Sequence, residues 1–229
     1  YGVIQQGKSS SPWIKNDDKI DFSSKVGKKI SKKLFAAALL NLKTQFANGY
    51  ETELRTTLIS KFAAPAYSIA AIGIDYVPNK YFSAFVAPVT VKTTIVGLQS
   101  LADAGMYGVE GATYDLSGGK LTDGQTIRNE FGGYLRLKFA KDFTKNIAVE
   151  SKADLFSNYL NNPQNIDINW EVLVAMKIGK YLTTTITTNL IYDDDIDIAI
   201  DDNDDGITDR VGPRIQFKEV FGLGLSYKF

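Results

Sequence analysis

The last fifteen residues of the chain alternate between apolar and polar side chains, and this pattern limits the possible folds more than any other feature. Every second residue from the end is apolar or aromatic: Phe229, Tyr227, Leu225, Leu223 and Phe221. The residues between them are small or polar, apart from Val220. Alternation with a period of two indicates a β-strand with one apolar face. Because a tilted strand of about 9–11 residues crosses a bilayer, the segment predicts a membrane-spanning strand.

The same alternation recurs along the chain and predicts ten strands. They cover roughly residues 1–6, 18–30, 34–46, 66–76, 81–96, 127–140, 147–159, 166–178, 182–192 and 214–229. Short turns at 31–33, 77–80, 142–146 and 179–181 alternate with long polar segments at 7–17, 47–55, 97–126, 160–165 and 193–212. In an antiparallel sheet this order places every short turn at one end and every long segment at the other, as in outer-membrane barrels.

The predicted fold is therefore all-β: an antiparallel up-and-down transmembrane β-barrel in a single domain, residues 1–229. Ten strands are visible. Residues 1–5 are too few to pair with the whole of the fifteen-residue last strand, and an unpaired strand edge is not tolerated in lipid. We therefore expect the chain to be truncated at its N-terminus and the complete protein to have twelve strands. Glu219 is a charged residue at a position of the last strand where the alternation expects an apolar one. We therefore expect either that Glu219 lies above the membrane or that a β-bulge between Lys218 and Phe221 shifts the register.

A soluble β-sandwich or a lipocalin-like barrel also has alternating strands, with the apolar face inward. The predicted strand lengths exceed the five or six residues usual in soluble sheets. Aromatic residues also cluster near strand ends, as at membrane interfaces. Those on the short-turn side are Tyr76, Tyr81, Phe82, Phe139, Phe143, Tyr181, Tyr227 and Phe229; those on the long-segment side are Tyr67, Tyr159 and Tyr192. These features favour the membrane barrel.

Composition excludes several classes of function. The chain has no Cys and no His, so it lacks thiolate ligands and the commonest general base. The 26 basic and 26 acidic residues balance, which gives no indication of nucleic-acid binding. Paired carboxylates such as Glu150 and Glu171 stand among Lys and Arg, so ion pairing explains them better than general acid–base catalysis. We expect no enzymatic activity.

Charged residues on the polar register of three successive strands predict a charge network inside the barrel. These residues are Arg136, Lys138, Glu150, Lys152, Asp154, Asp167, Glu171 and Lys177. Adjacent strands bring such side chains within reach of each other. Two interpretations stay open: ion pairs that fill a narrow interior, or a charged constriction in a pore. The near balance of both signs favours the filled interior.

Two long segments carry features of their own. In the first, Gln99–Ala104 predicts a short helix that folds into the barrel mouth as a plug or faces a partner. In the second, the sequence DDNDDGITD matches the first nine positions of a calcium loop. The predicted ligands are Asp201, Asn203, Asp205, Ile207 and Asp209, and Asp193, Asp194, Asp195 and Asp197 could complete the shell. Gly212 replaces the usual bidentate Glu, so a solvated acidic loop is the alternative.

Several segments resemble a known family. They are DDKIDFSSKVGKKISKK (17–33), NLKTQFANGY (41–50), EFGGYLRLKF (130–139), DLFSNYLNNPQNIDINWEVL (154–173), LIYDDDI (190–196) and GPRIQFKEVFGLGLSYKF (212–229). From about residue 12 to the end, the chain resembles an outer-membrane β-barrel family of Bacteroidetes that is catalogued as a domain of unknown function. The resemblance implies an outer-membrane location in a Gram-negative bacterium and an additional strand pair upstream. It implies no catalytic residues.

These observations predict a structural or accessory component of a membrane protein complex. The alternatives are a porin-like channel for small solutes and a hydrophobic-ligand transporter. The expected partners are outer-membrane lipid, other outer-membrane or periplasmic proteins, and the barrel assembly machinery, which would recognise Phe221, Leu223, Leu225, Tyr227 and Phe229. No cofactor is expected apart from Ca²⁺ in the 193–212 segment.

Overall fold

A computed structural model of the chain describes residues 2–6, 14–50, 57–200, 202–203 and 208–225. Ten strands form its large antiparallel sheet. They are β1 (Gly2–Gln6), β2 (Ile14–Lys29), β3 (Leu34–Thr44), β6 (Ala66–Tyr76), β7 (Phe82–Ile95), β10 (Ile127–Asp142), β11 (Ile147–Asn158), β12 (Asp167–Ile178), β13 (Leu182–Tyr192) and β16 (Gln216–Leu225). They lie in the order β1-β2-β3-β6-β7-β10-β11-β12-β13-β16.

Shorter elements occupy the long segments between these strands. Three two-stranded hairpins form from β4 (Gly49–Tyr50) with β5 (Leu58–Ser60), β8 (Thr113–Tyr114) with β9 (Lys120–Thr122), and β14 (Asp197–Ile200) with β15 (Arg210–Pro213). Helix α1 (Gln99–Asp103) precedes a 3-10 turn at Met106–Gly108. The helix expected at Gln99–Ala104 is thus present, whereas none of the three hairpins was expected from the sequence.

The all-β antiparallel architecture is confirmed, and each of the ten long strands overlaps a predicted one. Within the described residues no closed barrel is detected, because the sheet order begins at β1 and ends at β16. The bulge that was one explanation of Glu219 is absent there, since β13 and β16 pair without a register shift and Glu219 lies opposite Thr188. No helix in the described part of the chain is long and apolar enough to cross a membrane.

The chain divides into two compact units. The first comprises Tyr1–Val26, Leu39–Ala70 and Val91–Phe131, and the second comprises Gly27–Ala38, Ala71–Thr90 and Gly132–Phe229. Strands β2, β3, β6, β7 and β10 contribute residues to both. The expectation of a single domain stays a prediction.

Each unit has its own buried interior. In the first, Ala64, Val96, Leu101, Ala102 and Val109 form an apolar cluster, the loop core, against which Leu98, Met106 and Tyr107 pack. In the second, the buried residues include Phe85, Ala87, Thr90, Tyr134, Arg136, Asp154 and Phe156. The second set mixes aromatic rings with charged groups, which makes it the candidate functional site.

Candidate functional site

Strand alternation places Arg136 and Lys138 of β10 on the same face of the sheet as the charged residues of β11. Arg136 of β10 lies directly opposite Asp154 of β11, and Tyr134 lies opposite Phe156. All four side chains are buried. Because neighbours along a strand point to opposite faces, Leu135 and Leu137 lie on the other face, where they are only partly buried. The sheet thus buries its polar face more completely than its apolar one.

The centre of this face is the ion pair between Arg136 and Asp154. The distance from Arg136 Nε to Asp154 Oδ1 is 2.6 Å, and that from the second guanidinium nitrogen to Oδ2 is 3.2 Å. The Tyr134 hydroxyl also donates to Asp154 Oδ1. Arg136 and Asp154 are 4% and 6% exposed. Burial of two charges is expensive unless pairing and hydrogen bonds satisfy them, and here the two groups satisfy each other in a bidentate geometry.

Two further charges extend the pair across the sheet. Lys152 Nζ lies 3.9 Å from Asp154 Oδ2 and 3.8 Å from Glu171 Oε2. Lys152 and Glu171 are cross-strand partners in the β11–β12 register. We call Tyr134, Arg136, Lys152, Asp154 and Glu171 the charge cluster. It links three adjacent strands through both signs of charge.

Aromatic rings fill the space beside the charge cluster. The rings of Phe85 and Tyr134 meet edge to face with centroids 6.4 Å apart. Phe85 is 1% exposed, and Phe156 and Ala87 are also buried. Solvent therefore does not reach this part of the second unit, and the side chains themselves occupy it.

Four of the eight residues expected in the charge network join this cluster: Arg136, Lys152, Asp154 and Glu171. Lys138, Glu150 and Lys177 are exposed, and Asp167 is half-buried opposite Phe156. Sequence reasoning did not assign a role to Tyr134, although it shares the register of Arg136. Phe85 was also missed, because its packing against β10 is a contact between distant parts of the chain that no local pattern reports.

The strands of the first unit bury polar groups in the same way. Glu130 is buried and lies between Lys92 Nζ, at 3.4 Å, and Arg128, at 3.2 Å. Asn41, also buried, donates to Asp21 Oδ1 at 2.7 Å and to the Phe22 carbonyl at 3.1 Å. Buried polar atoms that are paired in this way do not carry the desolvation penalty of unpaired ones.

The opposite face of the strands exposes large apolar side chains. On β16, Phe221, Leu223 and Leu225 are 66%, 67% and 86% exposed. The other strands contribute Phe22, Val26, Leu40, Leu42, Ile72, Ile74, Val86 and Val89, among others. We call this surface the apolar face. Of the expected assembly signal, Phe221, Leu223 and Leu225 lie on it, whereas Tyr227 and Phe229 lie outside the described residues.

The segment 97–126, which belongs to the first unit, packs within that unit by ordinary apolar burial. Leu101 and Ala102 of α1 are buried in the loop core. The Tyr107 hydroxyl donates to the Ile59 carbonyl, and Arg128 Nη1 donates to the Gly108 carbonyl at 2.7 Å. These contacts fix the segment against both β5 and β10.

An acidic group orders the outer part of the same segment. The Asp103 carboxylate accepts hydrogen bonds from Lys120 Nζ at 2.5 Å, from Gln99 Nε2 and from the Gly124 backbone N–H, both at 2.8 Å. These donors, Lys120 first, lower the pKa of Asp103 to about 2. The same contact raises the pKa of Lys120. Both groups are charged at neutral pH, so Asp103 holds α1 and the β8–β9 hairpin together.

The expected calcium loop is only partly described. Asp201, Asp205 and Ile207 lie outside the described residues, and Asn203 and Asp209 are exposed. Asp202 forms an ion pair with Arg210 at 2.8 Å, which lowers the pKa of the Asp202 carboxyl. The Asp209 carboxylate accepts the Asp202 backbone N–H at 2.8 Å. Among the described residues no group of three acidic side chains is placed to hold a metal, and calcium binding stays a prediction.

Comparison with known proteins gives one match. A family model described as "Protein of unknown function (DUF3078)" matches residues 1–50. The expected likeness to a domain of unknown function is thus confirmed, over the first fifty residues rather than from residue 12 to the end. No curated protein and no solved structure matches the chain. The Bacteroidetes origin and the outer-membrane location stay predictions.

Proposed function

We propose that the chain is an outer-membrane β-barrel protein with a structural or accessory role in a membrane protein complex and no catalytic activity. The observation that carries the proposal is the inverted burial of its sheet. Tyr134, Arg136 and Asp154 of the charge cluster are buried, as are Glu130 and Asn41, while the side chains of the apolar face are exposed. A water-soluble antiparallel sheet has its apolar face inward, whereas a transmembrane barrel presents apolar residues to lipid and polar residues to its interior.

The filled interior favours the accessory role over a conduit. Phe85, Tyr134, Phe156 and the Arg136–Asp154 pair occupy the space beside β10 and β11 and exclude solvent from it. A solute channel needs a continuous aqueous path lined by its polar groups. The charge cluster instead ties three strands together, as expected of a scaffold that presents its outer surface or its long segments to other membrane or periplasmic proteins.

One pair of variants tests the membrane barrel. Val86 on β7 and Leu121 on β9 are 53% and 65% exposed, so both can accept a larger polar side chain without a steric clash. At a lipid-facing site near the bilayer centre, Arg costs about 2–4 kcal/mol. Val86→Arg is therefore expected to reduce the amount of protein folded into the outer membrane, whereas Leu121→Arg is expected to leave it unchanged.

The readout is the heat-modifiable folded band of membrane fractions and the urea midpoint of protein refolded into vesicles. Equal tolerance of Arg at both positions would show that Val86 faces water, and the barrel would be rejected in favour of a soluble sheet. The matched exposure of the two sites removes exposure itself as an explanation.

A porin-like channel is the second candidate, because Lys152 and Glu171 are half-buried charges of the kind that line a constriction. Recording from planar bilayers separates the two functions. The accessory role predicts no stable openings for the purified protein, together with a stoichiometric partner recovered from mild detergent. Stable openings whose conductance changes in Lys152→Gln would establish the channel. A hydrophobic-ligand transporter would instead bind a fatty acid probe in detergent.

A further inference from the structure

Four short turns of the second unit form one continuous rim. The Val77 N–H donates to the Lys33 carbonyl, which joins the β2–β3 turn to the β6–β7 turn. The Ala140 N–H donates to the Tyr81 carbonyl, and the Lys177 N–H donates to the Asn146 carbonyl. Each of these three distances is 2.8 Å. We call residues 28–33, 77–81, 140–146 and 177–181 the short-turn rim.

The short-turn rim is strongly basic. It carries one acidic residue, Asp142, and nine lysines: Lys28, Lys29, Lys32, Lys33, Lys80, Lys141, Lys145, Lys177 and Lys180. Eight of these lysines are exposed, and Lys141 is half-buried. Within the described residues none of the nine forms an ion pair with a carboxylate. Their positive charge is therefore available to a partner.

The rest of the chain does not share this charge. The long segments 97–126 and 193–212 together contain thirteen acidic residues and only two basic ones, Lys120 and Arg210. Because the whole chain has no net charge, the basic character of the rim is local and is not a consequence of overall composition. A concentrated patch of one sign in a neutral protein indicates a ligand of the opposite sign.

Aromatic rings within the rim hold two of the lysines. Lys80 Nζ lies 5.0 Å from the centroid of the Tyr81 ring, and Lys141 Nζ lies 5.3 Å from the same ring and 5.2 Å from that of Phe143. Such cation–π contacts leave the ammonium groups charged and oriented. Lysine stems lying along apolar surface with the ammonium group outward are typical of the boundary between hydrocarbon and water.

Exposed apolar side chains continue directly from the rim onto the strands. Ile30 and Leu34 flank the first turn, Ile147 follows the third, and Ile178 and Tyr181 flank the fourth; all five are exposed. The lysines thus form a band along the border of the apolar face. In a membrane this border lies at the level of the lipid headgroups, where clusters of four to eight basic residues bind anionic lipid.

We propose that the short-turn rim binds the phosphate headgroups of anionic phospholipids. This inference rests on the proposed membrane barrel. The lysine ammonium groups supply the charge, and Tyr81, Phe143 and Tyr181 supply the interfacial rings. The rim selects an acidic headgroup over a zwitterionic one because it contains almost no acidic residue to accept the amine of the latter.

The test compares the binding of phosphatidylglycerol and phosphatidylethanolamine to the purified full chain in mild detergent, by native mass spectrometry. We expect several-fold more bound phosphatidylglycerol than phosphatidylethanolamine, and loss of the preference as sodium chloride is raised from 50 to 500 mM. The rim variant Lys32→Gln/Lys80→Gln/Lys145→Gln is expected to lower phosphatidylglycerol binding about tenfold. The control variant Lys61→Gln/Arg210→Gln/Arg214→Gln removes the same number of positive charges from positions outside the rim and is expected to leave phosphatidylglycerol binding unchanged.

Equal binding of the two lipids, or equal loss in the rim variant and the control, would overturn the proposal. Displacement of bound phosphatidylglycerol by inorganic phosphate at the same concentration as the lipid would assign the rim to free phosphate instead. Displacement of lipid by an acidic peptide would assign it to a protein partner. Failure here together with sensitivity of Val86→Arg rejects only lipid binding by the rim, whereas tolerance of Val86→Arg rejects the membrane barrel itself.

Discussion

The loop core of the first unit and the charge cluster of the second bury opposite kinds of side chain. In the loop core, Val96, Leu101 and Val109 are buried as in any water-soluble protein. In the charge cluster, Arg136 and Asp154 are buried, while apolar residues of the same strands are exposed. One chain of mean hydropathy −0.12 therefore follows two burial rules.

This difference shows that burial follows the environment of each segment rather than the composition of the chain. The segment 97–126 connects two long strands along the chain and has a polar surface of its own. Its apolar side chains are therefore stabilised by burial away from water. The inverted burial of the strands is energetically favourable only if a non-aqueous environment covers their apolar face. The two regions therefore respond differently to mutation, which provides direct tests.

The largest effect is expected at the buried ion pair. Arg136→Leu leaves the Asp154 carboxylate buried without its bidentate partner, and breaking such a pair costs about 3–5 kcal/mol of the free energy of unfolding. Urea titration of protein in vesicles measures the loss. Arg136→Leu/Asp154→Leu is expected to recover much of it because no uncompensated charge remains.

The matched control for this prediction is Glu150→Gln. Glu150 lies on β11, four residues before Asp154, and its side chain is exposed. We expect its free energy of unfolding to change by less than about 0.5 kcal/mol. An equally small loss for Arg136→Leu would mean that water reaches the charge cluster and that the interior is not filled.

The loop core is expected to give a smaller and more local effect. Leu101→Ala removes buried methyl groups from α1, which costs about 2–5 kcal/mol at a well-packed site. Because the loop core involves few elements, we expect protease cleavage within 97–126 to rise in this variant, while the urea midpoint of the sheet stays constant. Leu116→Ala is the control, since Leu116 is fully exposed on the β8–β9 hairpin. A lower urea midpoint of the sheet in Leu101→Ala would show that the loop core does not unfold independently of the sheet.

The smallest expected effect is a pH dependence of the same segment. The pKa of Asp103 is about 2 in the folded state, against an ordinary value of 3.8. A lowered pKa means that the ionised carboxylate stabilises the segment above about pH 4, and this stabilisation is lost as the pH falls towards 2. The Gly124 amide, which donates to Asp103, should report the transition by NMR in micelles.

Asp103→Asn serves as the control because it removes the titrating group while keeping an acceptor oxygen. We expect the Gly124 amide resonance of this variant to show no transition between pH 4 and 2. A wild-type midpoint near 3.8 would indicate that Lys120, Gln99 and Gly124 do not hold the carboxylate in solution.

The strands could be predicted because their signal is local. Period-two alternation located β3, β6, β12 and β13 to within two residues at either end. The three hairpins within the long segments escaped notice because Gly49–Tyr50, Thr113–Tyr114 and their partners are too short to show a period. Their positions depend on turn hydrogen bonds, such as those of the Asp115 carboxylate with the N–H groups of Ser117 and Gly119.

The candidate site was predictable only in part. Alternation placed Arg136, Lys152, Asp154 and Glu171 on one face. It also predicted Lys138 and Lys177 as members of the same charge network, but both are exposed. Register decides between them, because Asp154 lies opposite Arg136 whereas Lys138 lies opposite Lys152. Phe85 and Phe156 could not be assigned to the site from sequence, since their burial depends on neighbours far along the chain.

The sequence by itself determined the strands, their order of short and long connections and the apolar and polar sides of each strand, because these depend on residue periodicity and turn chemistry. Only the tertiary structure decided which side is buried, since an alternating strand is compatible with either choice. It also joined the short turns into one basic rim and closed the segment 97–126 around Leu101. Both results arise from contacts between residues distant in the chain, which no local pattern encodes.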